Sequence, residues 1–367
     1  MDDIRHFARN QLQSLIAIMR ERGMRVVGPQ WRDGAIVFVD LEHADQLPRG
    51  YHDEQAPGQY RGHRTDDARY FAWANGPQAL KPLFFTPRES LWRSTQTPDN
   101  GLNFEAATPP QEELAVIGVR ACDLAALRLS DRHFLHGAIE DTHYRQRREN
   151  TLLIAVNCSH PAATCFCAST GDGPAATADF DLRLDELDDG YLAAAGSERG
   201  AELLAALTTR LASEHEQEEA RKQTAAAAAA QKRHLPEGSL RDRLFAAHAH
   251  THWQAVAARC LSCGNCTSVC PTCFCHREDD LATLDGAQSE HFREWDSCFT
   301  PGHSYIHGLT IRADTSSRYR QWLTHKFAGW HDQFGRSGCV GCGRCITWCP
   351  TGIDVTDVLA NIVEGAP

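Results

Sequence analysis

The stretch Cys260-Leu-Ser-Cys263-Gly-Asn-Cys266-Thr-Ser-Val-Cys270-Pro271 recurs as Cys339-Val-Gly-Cys342-Gly-Arg-Cys345-Ile-Thr-Trp-Cys349-Pro350. Both copies keep the spacing C-x2-C-x2-C-x3-C-P, and both carry a glycine after the second cysteine, Gly264 and Gly343. Three cysteines two apart can wrap one centre in a single looping turn. The fourth leaves that loop, and the proline behind it has no N–H with which to continue in helical register.

A cubane iron–sulfur cluster is held by four thiolates, and in two-cluster proteins the fourth cysteine of such a run ligates the other cluster. The repeat therefore predicts two [4Fe–4S] clusters. One is expected on Cys260, Cys263, Cys266 and Cys349, the other on Cys339, Cys342, Cys345 and Cys270. The two glycines would let the backbone turn tightly and approach inorganic sulfide. Structural zinc also accepts four thiolates from C-x2-C pairs, but it gives no reason for the repeated C-x3-C-P ending.

Composition agrees with metal rather than disulfides. The N-terminus begins acidic, with no signal-like apolar core behind it. No apolar run approaches the ~20 residues that span a bilayer. A cytoplasmic location is therefore expected, where fifteen thiols stay reduced. The net charge of −11 argues against nucleic acid as a partner, because the densest basic run is only Arg145-Gln-Arg147-Arg148. Neither a membrane nor a nucleic acid is expected to bind.

Along 367 residues the pattern divides in three. Residues 1–195 read as an α/β-type domain with a mixed sheet. The helical spacing of Gln11–Arg20, the β-branched run Ala35–Leu41, the apolar runs Leu114–Val119 and Thr151–Val156 around a helical Leu124–Leu135, and the alternating Phe180–Leu187 carry that reading. Residues 196–238 read as an Ala-rich helical connector that ends at Pro236 and Gly238. Residues 239–367 read as an all-helical two-cluster domain, since the long segment 271–338 between the motifs shows mostly helical spacing. The fold class expected is α+β.

A second group of cysteines follows the two apolar strands. Cys122 lies just past Val119, and Cys158, Cys165 and Cys167 lie past Val156. Adjacent parallel strands would bring these four to one sheet edge, enough for a third [4Fe–4S] cluster. The alternative is buried cysteines that pack as small hydrophobes. Cys273, Cys275 and Cys298 are one short of a full set and read as structural thiols or neighbours of ligands. His248 and His252 share a helix face but lack a convincing third ligand. Arg312, Arg318, Arg320, Lys326 and Arg344 either offset cluster charge, meet a partner, or are plainly solvated. No G-x-G-x-x-G after a strand, Walker motif or G-x-S-x-G is present, so no substrate active site or catalytic residue is predicted.

Gly118-Val-Arg-Ala-Cys122, Thr164-Cys165-Phe-Cys167, Cys270-Pro-Thr-Cys273-Phe-Cys275, Trp295-Asp-Ser-Cys298, His325-Lys-Phe327 and the second repeat occur in an order that resembles one family. It is the beta subunit of sulfhydrogenases, cytoplasmic NiFe hydrogenase/sulfur reductase complexes, with the A subunit of anaerobic sulfite reductase as a relative. The resemblance implies an electron-transfer subunit of an oxidoreductase complex. It would relay single electrons between an NAD(P)H-linked flavin subunit and a hydrogenase or sulfur-reductase subunit. Sulfite reductase as the terminal partner is the allied alternative; a stand-alone redox sensor or scaffold is the alternative from another class.

Overall fold

The apolar runs Leu114–Val119 and Thr151–Val156 form neighbouring parallel strands at the centre of a mixed sheet in the computed structural model, which describes residues 3–363. Both are almost wholly buried, as strands covered on two faces must be. Across the sheet the order is Arg210–Leu211, Arg5–Ala8, Gly190–Ala195, Leu182–Glu186, Thr151–Val156, Leu114–Val119, Arg25–Arg32 and Ala35–Asp40. The inner strands from Leu182–Glu186 to Arg25–Arg32 run parallel, and antiparallel strands close both sides. The sheet is thus mixed, and its edge strand Arg210–Leu211 comes from inside the stretch read as connector.

The helix Gln11–Glu21 buries Leu12, Leu15, Ile16 and Met19, a 3.6-residue stripe. That stripe joins Val26, Ile117, Ile154 and Leu184 in the main core. The helix Glu214–Ala229 starts with a capping box between Ser213 and Glu216. Its small side packs Ala220 against Leu187 and Leu192. Toward the C-terminus, Leu240–Ala246, His252–Ala257, Thr315–Thr324 and Val355–Val363 enclose a second core containing Trp253, Tyr319, Trp322, Phe327, Ile346 and Leu359.

The C-terminal part is not all helical. His276–Ala282 and Gln288–Trp295 form an antiparallel hairpin. This hairpin extends Arg88–Gln96 and Leu102–Ala106 into a four-stranded sheet shared by both halves of the chain. The turn Leu284-Asp-Gly286, with Gly286 at φ 70°, carries the hairpin signal. Against Arg88–Gln96, His291 and Phe292 face Trp92 and Ser90, so Leu91 is the extra residue of a bulge, while Gln288–Trp295 buries the adjacent Phe292 and Arg293 in place of alternating. No described helix is long and apolar enough to cross a membrane.

An ion network pins this shared sheet. Glu89, 5% exposed at its side chain, accepts from Arg293 Nη2 at 2.6 Å, from Arg147, and pairs with His143 Nδ1 at 3.0 Å; Arg293 also pairs with Asp141. Burial alone would push the Glu89 carboxyl up, but the Arg147 and Arg293 guanidiniums outweigh it and hold it below its ordinary value. A carboxylate depressed in the folded state adds stability that is present above its unfolded pKa of about 4.3 and is lost as pH falls below it. Acid unfolding of wild type should therefore steepen below that pH. Glu89→Gln should flatten that limb while lowering stability at neutral pH, as read by denaturant midpoints across a pH series.

Candidate metal centre

The second cysteine motif is built against the N-terminal domain. Gly341 and Gly343 sit at φ 64° and 74°, where a side chain is strained. A Cβ on Gly343 would stand 2.5 Å from Thr164 O, and one on Gly341 would stand 2.5 Å from Cys167 N. The crowding these glycines relieve is therefore protein backbone, the loop that carries Cys165 and Cys167. Phe166 N donates to Gly341 O at 2.8 Å. Thr164 Oγ1 and Thr347 Oγ1 are 2.8 Å apart, and Thr347 Oγ1 donates to Gln55 Oε1 at 2.7 Å. In the first motif, Gly264 has φ 72° and lies against Ser297.

Two cavities follow from this packing. One is lined by Cys260, Cys263, Cys266 and Cys349, with Cys345, Tyr319 and Trp322. The other is lined by Cys270, Cys339, Cys342 and Cys345, with Trp322 and Lys326. Trp322 and Cys345 border both. Cys263 is exposed, whereas the remaining ligand candidates are partly or wholly buried.

Three of the N-terminal four, Cys122, Cys165 and Cys167, lie against Cys342 of the second cavity. Val119 pairs with Ala155 in the parallel ladder, so the chain reaches Cys122 and Cys158 from neighbouring strand ends. Cys122 and Cys167 pack in one small cluster with Val340 and Cys342. Cys165 Sγ lies 3.9 Å from Cys342 O, and Cys158 stands beside the buried guanidinium of Arg120. Asn75 Nδ2 donates to Cys122 Sγ at 3.4 Å, and Gln231 Nε2 donates to Cys167 Sγ at 3.3 Å. These donors suit thiolate acceptors better than thiols.

The donor chemistry discriminates between metals. A tetrahedral zinc with Zn–S bonds of about 2.3 Å needs sulfurs less than about 4 Å apart. Among the described residues, the group of three ligand atoms within 4.8 Å of one another is His6, Asp189 and Glu216; no trio of cysteine sulfurs is that close. The described cysteines thus hold no preformed zinc trio, and a cubane, which places iron and sulfide between the thiolates, does not ask for one. Tyr319 Oη and Trp322 Nε1 are buried without hydrogen-bond partners on the wall of the first cavity. Such orphaned donors need an acceptor, and cluster sulfur provides one. Burial pushes Cys266, Cys345 and Cys339 up, the last to about 12, whereas Cys270, hydrogen-bonded to Cys273 and facing the Lys326 ammonium, is held well below its ordinary value.

Two cations that the sequence left among solvated alternatives are buried. Arg344 is 1% exposed and forms a bidentate pair with Asp123, also 1% exposed, at 2.8 and 3.1 Å. Lys326, 5% exposed, donates to Thr272 Oγ1 at 2.7 Å and lies near Cys270, Cys273 and Cys339. By contrast, Arg312, Arg318 and Arg320 are only partly covered. In sequence a buried cation looks like a surface one; the adjacency of Arg344 to Cys345 is the signal that could have found it.

Residues 259–353 match the family described as "4Fe-4S dicluster domain". Over 288 residues, 78% of this chain and 83% of the relative, the sequence is 30% identical to sulfhydrogenase 2 subunit beta of Pyrococcus furiosus. No solved structure matches significantly.

Removing one partner of a buried ion pair leaves an uncompensated charge and costs about 3–5 kcal/mol. Asp123→Ala should therefore lower the anaerobic guanidinium midpoint sharply, and the double variant Asp123→Leu/Arg344→Met should recover most of the loss. A single variant as stable as wild type would mean that the pair does not join the two halves.

Proposed function

The chain belongs to the sulfhydrogenase beta-subunit family, and we propose that it relays single electrons through three [4Fe–4S] clusters between an NAD(P)H-linked flavin subunit and a NiFe hydrogenase or sulfur-reductase subunit in the cytoplasm. Cys260, Cys263, Cys266 and Cys349 hold the first cluster. Cys339, Cys342, Cys345 and Cys270 hold the second, and Cys122, Cys158, Cys165 and Cys167 hold the third. The observation that carries this reading is continuity. The two cavities of the repeat share Trp322 and Cys345, and three of the N-terminal thiols abut Cys342 of the second cavity.

Each cluster, when bound, accepts and releases one electron at a potential set by hydrogen bonds to sulfur, burial and net charge. The chain's own residues set those terms. Tyr319 Oη and Trp322 Nε1 are unpaired donors at the first cavity. Lys326 and the Arg344–Asp123 pair bring charge to the second, and Arg120, Asn75 and Gln231 face the N-terminal thiols. Apolar walls of Phe299, Ile353 and Val355 at the first cavity, and of Phe166 and Phe327 at the second, keep water away.

Anaerobic iron and acid-labile sulfide analysis with reductive EPR tests the reading. Cys165→Ala should lose about four irons relative to wild type and leave the paired signals of the repeat intact. Unchanged iron in that variant would remove the N-terminal site; a colourless wild-type protein, or one holding zinc without sulfide, would remove the relay. Co-purified nickel with hydrogen uptake supports the hydrogenase partner, whereas sirohaem would replace it with sulfite reductase.

A further inference from the structure

Three cysteines remain outside the twelve assigned to the relay. Cys273 and Cys275 flank Phe274 in the loop between the first motif and the hairpin. The ring stacks on His133 at 3.6 Å and lies 5.4 Å from Trp330. The hairpin's last ladder pair is His276 with Trp295, and beyond it Asp296 N donates to Cys275 O at 3.0 Å. Cys275 therefore stands opposite Asp296, with Cys298 two residues further on. The sulfurs of Cys275 and Cys298 are close enough for their charges to interact, and the Asp296 carboxylate is the acidic group beside Cys275.

Cations surround this group. Lys326 is buried, donates to Thr272 Oγ1 at 2.7 Å and Gly338 O at 3.4 Å, and also faces Cys270 of the second cavity, with no carboxylate in ion-pair range among the described residues. Lys81 Nζ lies over the Trp295 ring at 3.9 Å and donates to Thr267 O and Ser268 O at 3.3 and 3.4 Å. Both ammonium groups lie near Cys273 and Cys275. A buried ammonium without an anion is costly. Cys270 of the second cavity faces both ammonium groups, and thiolates of Cys273 and Cys275 on a metal centre would add a second anion beside them. The three sulfurs are too widely spaced for zinc, since they do not lie within 4.8 Å of one another.

We propose that Cys273, Cys275 and Cys298 bind an additional iron–sulfur cluster, with Asp296 at its fourth iron and Lys326 and Lys81 as its counter-charges. The carboxylate is already oriented as ligating carboxylates are, one oxygen accepting from Thr300 Oγ1 at 2.7 Å and the other 3.3 Å from His303 Nδ1. The site adjoins both cavities of the repeat, because Cys298 is a charge neighbour of Cys266 and Cys273 is one of Cys270. It goes beyond the three-cluster relay and does not require the N-terminal cluster to exist.

The test compares full-length wild type with variants prepared and reconstituted anaerobically with iron and sulfide. Cys275→Ser/Cys298→Ser should lose about four irons and four sulfides relative to wild type, whatever the wild-type total. Asp296→Ala should lose about one iron and gain the oxidised-state EPR signal of a three-iron cluster, and Asp296→Cys should keep the iron and abolish that signal. Iron unchanged in the double cysteine variant overturns the proposal, as does zinc in place of the lost iron. If the double variant loses nearly all its iron or fails to fold by circular dichroism, Asp296→Ala decides: no iron loss and no new signal overturns it. Because each comparison is a difference from wild type, failure here leaves the Cys165→Ala result untouched.

Discussion

Thiolates that hold iron carry negative charge into a protein interior, and an interior charge without compensation costs several kcal/mol per ion. Much of this structure answers that constraint. Lys326 sits on an irregular helical turn, His325–Gly329, and is held among cysteines with no carboxylate of its own. Arg344 follows the repeated glycine of the second motif, but its charge is shared with Asp123 at the start of the helix that leaves the central strand. Arg120 is held by the carbonyls of Phe71 and Trp73 at 2.7 and 2.8 Å, close to Cys158. These cations come from different elements, so the thiol groups, the sheet and the helices between them are arranged jointly.

That shared requirement explains why a ferredoxin-like repeat is fused so closely to an unrelated sheet. The hairpin Tyr51–Ala56 with Gln59–Arg64 places Gly58 N on Ile346 O at 3.0 Å and stacks Tyr60 on Trp348 at 5.2 Å. Gln55 from the same hairpin accepts from Thr347. The loop carrying Cys165 and Cys167 fills the space that Gly341 and Gly343 leave free. The shared four-stranded sheet, pinned by Glu89 and Arg293, then ties the segment between the motifs to residues 88–106. A two-motif domain cut free of these contacts would expose backbone that was shaped to meet another part of the chain.

The parts legible in sequence are those with a period or a fixed spacing. The cysteine repeat could be read because ligand geometry fixes its intervals, and the parallel strands because burial on both faces leaves continuous apolar runs. The hairpin 276–295 could not be read in this way. His276–Ala282 is exposed along nearly its whole length, so it shows no alternation, and its partner buries the adjacent Phe292 and Arg293 in place of alternating. Arg293 is a charge on a buried position because Glu89 and Asp141 wait for it from distant sequence. Lys326 and Arg344 were hidden for the same reason. Spacing names the ligands, but the partner of a buried charge is known only once the chain has folded.

The distribution of those charges also orders the thiol groups on the proposed assignment. Adding an electron makes a cluster more negative, so nearby cations favour the reduced form and exposure to water weakens their pull. The first cavity has a neutral donor of its own, Tyr319, and one exposed cysteine, Cys263. The second has the buried ammonium of Lys326 against its thiols and is screened by Phe166 and Phe327. Of the two, the inner site is therefore the better electron acceptor, while the site at the surface is the one a redox partner can approach. Access and affinity for the electron are separated between neighbouring cages, whose walls have Trp322, Cys345 and Val355 in common.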